Sequence, residues 1–411
     1  MTQSPGDESD LSYGWTMVAV TFFLTGLSFG GAGTVSVFIL PLSQEFGWSR
    51  GQVAFGYTAF GLATIFGIMW GRLADRYGAR PLAIFGACAM AVSLFLLSRQ
   101  TSLYQYYGLY FLFGAVGHAV MNGPLYSNVG FWFTRNKGFA LGIASAGGAV
   151  GQAFLPFYVQ TLILMYDWRT AYIGMAILYA VIAIPLALLV RESPVRQAAQ
   201  RATAAGVRQD APSFVLPPLE VAIWMSIAVI FCCTCMSVPI VHVIPLIADR
   251  GINPQIAATV MIVLMIAATF GRVIGGVVTD KLGGLRTYVL FSFGQTVLVP
   301  WFPHVDALPL MYVFAAVYGL VYSGVMTTIL VCVREMIPAQ VSARYMAMIV
   351  FFAWIGMGFG GFQGGLAFDL TGSYTWSFAN GSIAGFINLA VLTAFWIRIR
   401  NRSQPMAPQM A

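Results

Sequence analysis

The chain has 411 residues, 59% of them apolar and only 9% charged, with a mean hydropathy of +0.79; that balance excludes a soluble domain and requires an integral membrane protein. The formal charge of +7 does not describe a nucleic-acid surface, because the basic residues stand in short clusters between apolar runs. The five cysteines all fall inside those runs, so no disulfide framework is expected, and FCCTCM reads as small thiols filling a helix interface rather than as a metal site.

Residues 1–13 are polar and acidic without the basic start of a signal peptide, and are expected to form a disordered cytoplasmic tail. Twelve apolar runs follow, each long enough to cross a bilayer as a helix: 14–40, 51–71, 81–98, 104–133, 138–165 and 170–190, then 219–245, 254–279, 286–301, 308–333, 343–368 and 377–397. The runs are continuous rather than alternating, which predicts an all-α fold of twelve transmembrane helices and excludes a barrel. The polar stretch 191–218, rich in Ala, Gln and Arg, separates six runs from six, so the expected plan is a bundle over 14–190, a cytoplasmic linker, a bundle over 219–397 and a tail over 398–411. With both termini inside, 16 of the 21 basic residues lie on the cytoplasmic face, as the positive-inside rule demands.

An internal repeat supports two halves. GRLADRYGAR at 71–80 and GGVVTDKLGGLR at 275–286 superpose at a shift of 205 residues, which aligns Asp75 with Asp280, Gly71 with Gly276, Arg76 with Lys281 and Gly78 with Gly283. Each Asp is expected to satisfy helix-end amides, with Arg76, Arg80, Lys281 and Arg286 bridging neighbouring helix ends. The same shift places Gly67 opposite Arg272, so one half alone carries an intramembrane charge. Arg272 precedes Asp280 by eight residues, ~12 Å at helical rise. That is near mid-bilayer, where an unpaired guanidinium costs at least ~3 kcal/mol. No carboxylate stands at that depth to pair with it, which makes Arg272 the candidate docking point for a small carboxylate.

Other candidates near mid-depth are His118, Asn122 and Tyr126, which recur every four residues on one face, and Tyr318 with Tyr322 on another helix. Aromatic bodies with hydroxyl tips suit an amphipathic acid. Phe359 is a candidate cavity wall in GMGFGGFQGG, where Gly356, Gly360 and Gly364 form a flat packing stripe. All fourteen carboxylates fall in tails, loops or helix ends, leaving His118 as the candidate proton carrier; the competing route moves the proton with the acid once the substrate neutralises Arg272.

The paired G-x-x-x-D-R/K-x-G loops resemble the signature of the major facilitator superfamily. WFTRNKGFALGIASAG at 132–147 is similar to the fifth-helix signature of monocarboxylate transporters, the match carried by Trp132, Phe133, Arg135, Lys137, Gly142, Gly147 and the intervening alanines. Tyr13 to Trp15 is similar to the same family's first-helix signature. Departures are Asn136 for a basic residue, Phe139 for Leu, Leu11 and Ser12 in place of the usual acid, and Gly33 and Ala268 where animal members carry a lysine and an aspartate for proton coupling. The resemblance implies a secondary transporter that carries lactate, pyruvate or a similar monocarboxylate with a proton by alternating access. It further implies a bacterial member in the inner membrane, monomeric as a working unit and needing no cofactor. An oxalate/formate-type exchanger is the alternative, and a non-transporting receptor a more distant one. No catalytic signature and no nucleotide motif occurs in the sequence, so no enzyme is expected.

Overall fold

A computed structural model describes residues 5–48, 50–204, 215–252 and 254–403. Nine helices among them are long and apolar enough to cross a membrane. Three further crossings are interrupted: α3 (Arg50–Ala63) runs through a 3-10 turn into α4 (Gly67–Tyr77), α6 (Leu103–Leu112) through a π-turn into α7 (Ala119–Gly130), and α14 (Gly284–Leu298) ends in a 3-10 turn. With these the bundle has twelve crossings in two sets of six.

The first set also contains α1 (Pro5–Gly33), α2 (Val35–Phe46), α5 (Ala79–Leu97), α8 (Lys137–Met165), α9 (Trp168–Leu178) and α10 (Ile184–Leu188). Helix α11 (Pro194–Ala204) follows. The second set contains α12 (Pro218–Ala248), α13 (Pro254–Leu282), α14, α15 (Leu308–Met336), α16 (Ser342–Thr371) and α17 (Tyr374–Ser403). Two expectations are corrected at the ends: α1 already begins at Pro5, inside the stretch expected to be a disordered tail, and α17 continues through Ser403 rather than stopping near 397. Residues 1–4 and 404–411 lie outside the described residues, as do 205–214 of the linker.

Small residues set the close helix pairs. Gly147 and Gly151 of α8 lie against the carbonyls of Phe22 and Gly26 in α1, so both pair helices within one half, whereas Gly142 lies against the Arg272 carbonyl of α13 in the other. Gly356, Gly360 and Gly364 form the expected stripe, facing Ile230, Thr234 and His242 of α12. The turns that join α4 to α5 and α13 to α14 need φ +88° at Gly78 and +83° at Gly283, a region that side chains other than glycine's avoid.

A methyl group at Gly147 would overlap the Phe22 carbonyl, while one at Gly108 would meet open space. Gly147→Ala should therefore lose about 1–3 kcal/mol of stability. Gly108→Ala should be neutral or slightly stabilising. Thermal unfolding of the two variants in detergent checks the contrast; equal melting temperatures would contradict it.

Candidate functional site

Helices α8 and α16 both start without a cap from their own preceding side chain, so their first amides need acceptors from elsewhere. Those acceptors come from the opposite half. The amides of Gly138 and Phe139 donate to Asp280 at 2.8 and 2.9 Å, and the amides of Ala343 and Arg344 donate to Asp75 at 3.0 and 3.2 Å. Both donors and acceptors obey the 205-residue shift. Each carboxylate thus meets the positive end of a helix dipole across the boundary between halves. Gly276 lies against the Gly138 carbonyl and Gly71 against that of Ala343, again at the same shift, letting the backbones approach.

The basic residues of these loops are not arranged as expected. Among the described residues no ion pair includes Arg76, Arg80, Lys281 or Arg286; Arg76 instead covers the Tyr77 ring at 5.2 Å. The pairs at this end are made by Lys137 with Glu335 at 2.9 Å, by Arg398 with Glu220 at 2.9 Å and by Arg196 of α11. Arg196 is 1% exposed. It reaches Glu192 at 2.5 Å, Asp75 at 3.4 Å, Ser342 at 3.0 Å and Ser127. The linker therefore supplies, from its helix α11, the hub that ties Asp75 to the start of α16. Its sequence signal was Glu192 and Arg196 at i,i+4 spacing. Arg334 adds a further link by donating to the Gly130 carbonyl at 2.6 Å. At the opposite end the bonds from Tyr107 to Gln52 and from Arg250 to Val305 run within one half.

The two signatures that carried the closer resemblance touch each other. Tyr13 packs on Trp132 with ring centroids 5.8 Å apart, and Trp15 meets Phe133 edge-on at 5.1 Å. Asn136 has φ +54°, in the left-handed region that asparagine tolerates better than long side chains, which gives a backbone reason for its departure from the signature. Arg135 is exposed.

Between the halves lies a cavity of about 130 Å³ lined by Arg272, Asn122, Tyr126 and Tyr322. Arg272 is 7% exposed. Its Nε donates to Ser323 at 3.2 Å and its Nη1 to the Ser145 carbonyl of the other half. Among the described residues it has no carboxylate partner. The Asn122 amide nitrogen is held by Ser28 at 3.1 Å and by the His118 carbonyl at 2.9 Å, while its Oδ1 has no partner among the described residues. A ligand here meets a cation, a buried acceptor and three phenols, the third from Tyr57.

Three candidates fall elsewhere. His118 is behind the wall: its Nδ1 bonds Ser28 at 2.8 Å, and Phe29, Phe60 and Trp354 enclose the ring. Tyr318 is buried and donates to the Met236 carbonyl at 3.2 Å. Phe359 is 57% exposed and lines a lateral groove instead of the cavity. Sequence reading missed Trp354, Phe29 and the methionines Met236, Met265, Met326 and Met357. Val350, Ala353, Trp354 and Met357 share one face of α16, a periodicity that was available to be read; the scattered methionines offered no such pattern.

This is a two-half membrane bundle with a mid-depth cavity into which the Arg272 guanidinium projects, the architecture of a membrane carrier. Residues 21–361 match the model of the Major Facilitator Superfamily, and the chain belongs to it. Monocarboxylate transporter 13 of Rattus norvegicus is 27% identical over 93% of this chain and 88% of its own length. Monocarboxylate transporter 2 of the same species is 22% identical over 89% and 79%. A fungal relative from an Ophiocordyceps strain, MFS-type transporter 1, is 26% identical over 77% and 71%. These relatives are eukaryotic and lend no support to the expectation of a bacterial member. Among solved structures, the proton:xylose symporter XylE bound to 6-bromo-6-deoxy-D-glucose superposes with a TM-score of 0.72 at 16% identity, covering 93% of this chain and 96% of that one. The transporter FucP in the outward conformation gives 0.69 at 15%, covering 95% and 99%. These two likenesses show the fold.

Asp280→Asn removes the charge from two charge-assisted bonds and should weaken closure by ~1–2 kcal/mol, roughly a tenfold shift toward the form open at the arginine-rich end. A cysteine at buried Ala140 should then react faster with an impermeant maleimide added on that side. Unchanged labelling would show that Asp280 does not hold the closed form.

Proposed function

We propose that the chain is a secondary transporter of a monocarboxylate, with lactate and pyruvate the first substrates to try, moving it together with a proton by alternating access. The observation that carries this reading is Arg272: a buried guanidinium at the boundary between halves, lining a cavity and lacking a carboxylate partner among the described residues. Such a charge is retained in a bilayer beside water, a counter-charge or an anionic ligand. Its neighbours Asn122, Tyr126 and Tyr322 would orient the acid, and the names of the two rat relatives are consistent with a carboxylate cargo. The arginine-rich end, with sixteen basic residues on the span plan given above, faces the cytoplasm in this reading, so the bonded end is the inner gate and the working unit is a single chain.

Substrate binding and gate release are coupled through one nitrogen. Nη1 of Arg272 bonds the Ser145 carbonyl across the boundary, and a carboxylate taking both Nη1 and Nη2 in a fork would compete with that bond. The proton then travels with the acid. His118, enclosed by aromatic rings, serves to position Asn122 through its carbonyl.

Arg272→Ala should lower substrate affinity at least ~30-fold, and Arg272→Lys should also fail because a point charge does not reproduce the fork. Uptake of labelled lactate and pyruvate into proteoliposomes, with and without a pH gradient, measures both. Near-normal uptake by a correctly inserted alanine variant would sink the reading. His118→Gln, assayed in the same way, should keep gradient-driven accumulation; exchange that survives while accumulation is lost would make His118 the proton carrier instead.

A further inference from the structure

The cavity at Arg272 has a largely apolar extension. A lateral groove of about 900 Å³ runs between α3, α12 and α16 and is lined by Phe55, Leu62, Val241, Phe351, Ile355 and Phe362 among others. Four residues line both spaces: Tyr57, Ile240, Trp354 and Met357. The two are therefore neighbours across one layer of side chains, and that layer includes a flexible methionine. The charges are arranged asymmetrically. Arg272 is the one Lys, Arg, Asp or Glu among the described residues lining either space, so a ligand spanning both has its anionic group at one end and, among those residues, nothing charged along the rest. The cavity wall itself is mostly apolar, with Met236, Met265, Met326 and Leu330 lining it beside the few polar groups. A wall of that composition gives a two- or three-carbon acid little to match, because binding sites pair apolar linings with apolar ligand surface.

Deepening the proposed function and resting on it, we infer that the preferred substrate is an amphipathic monocarboxylate with an apolar tail, aryl or acyl, whose carboxylate docks on Arg272 and whose tail passes Trp354 into the groove. Side chains along the groove are left uncovered by protein, Phe359 and Phe362 by 57% and 67%, so on the bilayer side the groove gives a tail access from the lipid. The glycines fit this route. At Gly358 an added methyl would meet nothing within 4 Å, and at Gly61 the nearest atom is Trp354 at 3.5 Å. A side chain at either would take up space the tail needs.

The test is inhibition of labelled pyruvate uptake by acetate, butyrate, hexanoate and 4-phenylbutyrate in proteoliposomes. Affinity should rise along the series, by roughly fourfold for each methylene that the groove buries. In Gly358→Phe the ratio of 4-phenylbutyrate to butyrate affinity should fall at least tenfold; Gly358→Leu is the milder variant should phenylalanine prevent insertion. Ligand-induced shifts in melting temperature of the purified protein give the same ordering without a bilayer. A flat series, or a ratio that Gly358→Phe and Gly358→Leu both leave unchanged, overturns the inference, and in that case the groove holds lipid chains. Failure of this inference is separable from failure of the underlying reading: with a flat series and pyruvate uptake that still requires Arg272, the carboxylate site stands and the tail route falls.

Discussion

A guanidinium held near the middle of an apolar bundle dictates much of what surrounds it. Arg272 is solvated by Ser323 of its own half and by the Ser145 carbonyl of the other, and both are neutral acceptors. Neutral acceptors reduce the cost of burying a cation without cancelling its field. The site thus keeps an uncompensated positive potential in a low-dielectric cavity, where it acts on any anion far more strongly than the same charge would in water. An internal carboxylate would have made the bundle easier to fold and would have used up that potential.

The gate is built on the same economy of partners. Helix starts at α8 and α16 present amides that nothing in their own half satisfies, and Asp280 and Asp75 supply the acceptors from the other half. Because the bonds replicate at one sequence shift, opening this end leaves both sets of amides in need of water at once. Around this symmetric pair the details diverge. The α5 start receives Glu192 and the α14 start receives Glu335: the amides of Ala79 and Gly284 obey the repeat, but their acceptors come from non-equivalent places, the non-helical stretch before α11 and the end of α15. Among the described residues, only the Asp75 side is further bound by a hub from the segment joining the halves, Arg196. The helix framework follows the repeat, and the side chains that hold each side of it do not.

Much of this was legible from the chain itself. Apolar run length gave the crossings, and the repeat around Asp75 and Asp280 gave the two halves and the acids at their boundary. Depth and solitude of charge singled out Arg272. What failed had physical reasons. Periodicity put His118 on one face with Asn122 and Tyr126, and the first two do meet, with His118 Nδ1 3.1 Å from the Asn122 amide nitrogen; what periodicity does not show is that Phe29, Phe60 and Trp354 close over the imidazole and keep it behind the wall that Asn122 lines. Phe359 was placed by depth alone, and depth does not tell a cavity face from a lateral one. Arg196 was hidden by composition, since an Ala/Gln/Arg stretch reads as solvated until its partners on three other segments are known. Arg76, Arg80, Lys281 and Arg286 were given bridging roles by proximity in sequence, whereas the bridges need acceptors across the boundary.

The lock at the arginine-rich end joins a side chain to main chain. A carboxylate that accepts from backbone N–H groups takes no notice of which residues carry them, so positions 138, 139, 343 and 344 are under no demand from Asp280 or Asp75 beyond keeping an amide hydrogen, which proline alone lacks. Gly138 is fixed separately by crowding against Gly276. Ala343 is fixed as well, buried against Ala74, Leu82 and Val120, and Phe139 meets the Trp15 ring. What constrains the donor side is therefore packing around each residue, while the bond itself asks only for an amide hydrogen; the acceptor side has no such latitude, because only a carboxylate at each position supplies two charged oxygens to two amides.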